Sequence, residues 1–72
     1  MTRQPVVSGK TLVKAFEKLG YHLERTSGSH MILAHPENKS LSIPNHKEIG
    51  KGLLHDILSD AGITADKLRE LL

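Results

Sequence analysis

Five histidines, ten lysines and arginines and no cysteine set the chemistry open to this 72-residue chain. The histidines stand at 22, 30, 35, 46 and 55. Imidazole exchanges a proton near neutral pH, so each is a candidate acid or base. His30 is singled out by its neighbours. It follows Gly28-Ser29, where glycine can take positive φ and turn the chain, and it opens the run HMILAH. A ring placed there is held by a strand on one side and reachable from solvent on the other. Next to an RNA backbone, a neutral imidazole could take the proton of a 2′-hydroxyl attacking the adjacent phosphorus. As imidazolium it could protonate the departing 5′-oxygen, and either role is typically worth about 10²–10⁴-fold. The plainer reading is a strand-entry histidine whose nitrogens are satisfied by backbone groups.

Other constellations are weaker. No two histidines stand four apart on one helix and no thiolate is present, so a zinc site would need three or four imidazoles gathered by folding. The expectation is therefore no metal and no other cofactor. His35 and His46 read as helpers to His30 or as ordinary surface residues. Lys39, Lys47 and Lys51 fall in a hairpin and in the polar loop 45–52, where Gly50 and Gly52 allow close approach of a phosphate to a helix start. They are candidate phosphate contacts, together with the Gly28-Ser29 backbone. A solvated loop with unremarkable lysines is the competing account.

The elements that must position these groups follow from periodicity. Residues 1–7 form an extended lead-in, because Pro5 opposes a helix. Ser8 is a good N-cap, Val7 and Leu12 make a hydrophobic staple, and Leu12, Val13, Phe16 and Leu19 repeat at helical spacing. A first helix is predicted over 9–19, stopped by Gly20. Residues 21–25 alternate, with Tyr21, Leu23 and Arg25 on one face and His22 and Glu24 on the other. After turn chemistry at 26–29, residues 30–35 are apolar on both parities and read as a central strand. Which of its faces carries His30 is left open. Pro36-Glu37-Asn38 turns into a third strand at 39–43, ended by Pro44. Leu53, Leu54, Ile57, Leu58 and Ala61 describe a second helix before Gly62. Thr64 caps a short third one, which must dock on its neighbours or fray.

Seventy-two residues make one domain, 1–72, whose core must be built from Leu, Ile and Val, since aromatics are only 3% of the chain. A net charge of +2 argues only weakly for an anionic partner. Absence of cysteine suits a cytoplasmic location, and no apolar run approaches the ~20 residues of a membrane span. The order α-β-β-β-α-α predicts an α+β two-layer sandwich: a three-stranded antiparallel sheet with helices on one face, the layout of a double-stranded-RNA-binding domain.

Ser8-Gly9-Lys10, Glu17-Lys18-Leu19-Gly20-Tyr21, Gly28-Ser29-His30, His35-Pro36, Ile43-Pro44, Lys51-Gly52-Leu53-Leu54 and Ala61-Gly62 occur in that order. Over roughly residues 8–63 the chain resembles the HicA (YcfA-like) toxins, small mRNA interferases of type II toxin–antitoxin systems. The resemblance implies a double-stranded-RNA-binding-like fold, ribosome-independent cleavage of mRNA and neutralisation by a HicB antitoxin that covers the active site. It assigns the family's active histidine, the one in Gly-Ser-His, to His30. Two other readings keep the same fold: a non-catalytic RNA-binding module, and a decayed toxin that only binds its antitoxin.

Overall fold

Ser8 opens the first helix by accepting the Thr11 amide on its hydroxyl at 3.1 Å, as its residue type predicts. The computed structural model describes residues 6–72; most of the expected lead-in lies outside the described residues. Helix α1 spans Gly9–Glu17 and buries Leu12, Val13, Ala15 and Phe16. Its regular part ends two residues earlier than expected because the last turn tightens. Gly20 at φ 99° still closes it, with the Tyr21 amide reaching the Phe16 carbonyl and the Gly20 amide reaching that of Glu17.

Three strands follow: β1 (His22–Ser27), β2 (His30–Ala34) and β3 (Leu41–Pro44), paired antiparallel in that order. Strand β1 runs two residues beyond its expected end, so the turn is only Gly28-Ser29. Gly28 at φ 60° takes the first central position of this two-residue hairpin, where glycine is favoured. The expected alternation along β1 also fails. Leu23 lies opposite Leu33, but Arg25 lies opposite Ile32, so Glu24 is an extra residue in a bulge. Arg25 is thereby moved to the sheet face of Ile32, away from that of Leu23.

Helix α2 (Lys51–Ala61) starts two residues earlier than the apolar pattern suggested, and α3 covers Ala65–Leu71. The early start was hidden because the N-cap is Gly50, which makes no side-chain cap. Helix α3 docks: Leu68 is wholly buried, and Lys18 donates its ammonium to the Leu71 carbonyl at 2.6 Å. Met31, Leu33, Leu41 and Ile43 point from the sheet into one core with Phe16, Leu12, Leu54 and Leu68. The architecture is the expected α+β sandwich, with the helices packed on a single sheet face.

Candidate functional site

The parity of β2 is decided by burial. Met31 and Leu33 are buried against the helices, so His30, Ile32 and Ala34 belong to the opposite face, which carries no helix. Within that face His30 is the exposed residue and the other two are half-buried. Its position is pinned from both sides, by Ser27 across the hairpin and by Pro44 on β3. The ring makes no hydrogen bond to any described residue. A firmly held backbone thus carries an imidazole open to solvent.

The remainder of this end of the molecule is assembled by main-chain bonds. The Asn45 amide donates to the Ser29 carbonyl at 2.7 Å, extending the β2–β3 ladder past Pro44. The Gly9 amide donates to the His46 carbonyl at 2.9 Å, and the Ile49 amide to that of Val7 at 2.8 Å. The start of α1, the hairpin turn 28–29 and the loop after β3 therefore meet. Gly9 is required here: a Cβ on it would stand 2.1 Å from the Pro44 carbonyl oxygen. Ser8, Lys10, Asn45, His46 and Lys47 line one concave pocket.

Of the candidate groups, Gly28, Ser29, His30 and Lys47 are gathered at this end. Lys51 opens α2, immediately after the same loop. Lys39 is not gathered. It precedes β3 at the other end of the sheet and pairs with Asp60 at 3.2 Å. His35 is not available either. The Glu37 amide donates to its Nδ1 at 3.0 Å, which places the ring proton on Nε2, 3.0 Å from the Leu19 carbonyl it donates to. The ring also packs on Tyr21 with centroids 4.7 Å apart. Five residues along a strand separate it from His30, roughly 16 Å at ~3.3 Å per residue. His46 and Lys10, by contrast, do share the His30 end. Nothing local in the sequence marks Lys10, whose spacing places it only on the wet side of a helix. Among the described residues no three His, Asp or Glu side chains converge as a metal ion would need.

These features define a small α+β domain with one open sheet face and a basic edge. The family model for the HicA toxin of bacterial toxin-antitoxin pairs matches residues 9–63, and the chain belongs to that family. It is the toxin component of such a pair, and the family implies an antitoxin as partner. A search of curated proteins gave no match. No helix among the described residues is long and apolar enough to cross a membrane.

Proposed function

We propose that the chain is an endoribonuclease that cuts mRNA without the ribosome, with His30 as its general base or general acid, and that a HicB-type antitoxin in the cytoplasm neutralises it. The observation carrying this reading is the exposed, unengaged ring of His30 on a rigid hairpin shoulder. In the base role, an imidazole nitrogen takes the 2′-hydroxyl proton as the 2′-oxygen bonds to phosphorus. The bond from phosphorus to the 5′-oxygen then breaks, and that oxygen takes a proton. The products are a 2′,3′-cyclic phosphate and a 5′-hydroxyl. Atoms and charge balance without a metal, so cleavage is expected to persist in EDTA.

One imidazole fills one proton-transfer role. With His35 occupied by the backbone, the second falls to water, Lys47 or His46. Lys47 and Lys51 hold the phosphates, while the Gly28-Ser29 turn lets the strand approach closely. The test is to induce the wild type and His30→Ala without antitoxin, following growth and mRNA integrity. Arrest with broken mRNA for the wild type, and neither for His30→Ala, is the expected result. Intact mRNA under the wild type rejects the enzyme. RNA binding unaffected by His30→Ala, with no cleavage by either, would leave a binding module.

A further inference from the structure

The pocket where α1 begins holds about 300 Å³ and is lined by Ser8, Lys10, Asn45, His46 and Lys47. Its lining has two ammonium groups, an imidazole, an amide and a hydroxyl, and no carboxylate. Neither lysine forms an ion pair with a described residue. Apart from the His46 ring the lining offers no plane on which a base could stack, and its two ammonium groups favour a backbone phosphate over a nucleobase. The loop that forms one wall is bonded to Ser29 at Asn45 and to Gly9 at His46. The concavity is therefore fixed in place beside the turn that carries His30. Lysine ammoniums are compact point charges well suited to a phosphate.

We infer that this pocket is a subsite for one phosphate of the RNA strand, flanking the phosphate at which His30 acts, with Lys10 and Lys47 as its charged walls and His46 and Asn45 as polar ones. This rests on the reading of the chain as an RNA-cleaving toxin. The subsite holds the strand's register and reads no sequence. It also gives Lys10, which is remote from the hairpin in sequence, a place in RNA binding.

The probe is a 2′-O-methyl RNA oligonucleotide, which lacks the attacking hydroxyl and so stays whole. Its affinity for the full chain is measured across a range of salt concentrations. Each phosphate contact to a single strand contributes about 0.7 to the slope of log K against log salt. Lys10→Gln is expected to lower the slope measurably, and Lys10→Gln with Lys47→Gln by about 0.7, the whole share of the one phosphate they hold. Lys67→Gln, on the exposed side of α3, is expected to leave it unchanged. A slope for Lys10→Gln equal to that of Lys67→Gln overturns the subsite. So does a wild type that binds acidic peptides but not the oligonucleotide, because the pocket then serves a protein partner. The two proposals fail separately. A lowered slope for Lys10→Gln with no cleavage of unmodified RNA by the wild type keeps the subsite and rejects the enzyme. Cleavage with an unmoved slope does the reverse.

Discussion

His35 joins the end of β2 to the end of α1 through two backbone partners, so truncating it leaves the Leu19 carbonyl and the Glu37 amide without their bonds. The Leu19 carbonyl is part-buried, and an unmade bond at such a group costs about 1–3 kcal/mol, whereas the exposed Glu37 amide turns to water. His35→Ala is therefore expected to lower the urea-unfolding free energy by about that much. His30, exposed and making no hydrogen bond, belongs to the surface sites where substitution changes stability by about 0.5 kcal/mol or less. Equal losses in the two variants would refute this division. The sequence marked His30 through the glycine turn before it. It did not separate His35, because nothing local shows that its ring meets Leu19, 16 residues earlier. Nor could apolar residues on both parities of β2 tell which face His30 would take.

Helix α1 sits so close to the end of β3 that only hydrogen fits at Gly9. Gly9→Ala sets a methyl against the Pro44 carbonyl oxygen, a backbone atom that cannot swing aside. Overpacking costs about 1–3 kcal/mol, more than the helix-propensity gain of up to about 1 kcal/mol from replacing glycine by alanine. The expected outcome in denaturant titration is a net loss of stability, with faster hydrogen exchange at the Gly9 amide as its bond to His46 loosens. A variant as stable as the wild type would show that the contact is slack. The elements themselves were legible wherever period and punctuation agreed, as for α1 with Ser8 and Gly20. They were not where the device has no local signature. The bulge at Glu24 breaks an otherwise regular alternation, and the glycine cap of α2 leaves no side-chain signal of the helix start.

Charge along α2 has a direction. Lys51 begins α2, and Asp60, near its end, holds Lys39. At 1.5 Å per residue the nine steps from Lys51 to Asp60 separate the two lysines' ends by roughly 14 Å. Lys51→Ala is accordingly expected to lower the salt slope of RNA binding by about 0.7, and Lys39→Ala to leave it unchanged. A comparable fall for Lys39→Ala would mean that the strand runs the length of the sheet. The net charge of +2 contains no hint of this polarity. The helices occupy one side of the sheet and the proposed reactive ring the other. Disarming the molecule and dismantling it are consequently separate events. Cells that outlive induction by altering codon 30 would still make a fully folded protein, able to sequester antitoxin from intact copies, whereas survivors altered at codons 9 or 68 would make a less stable one.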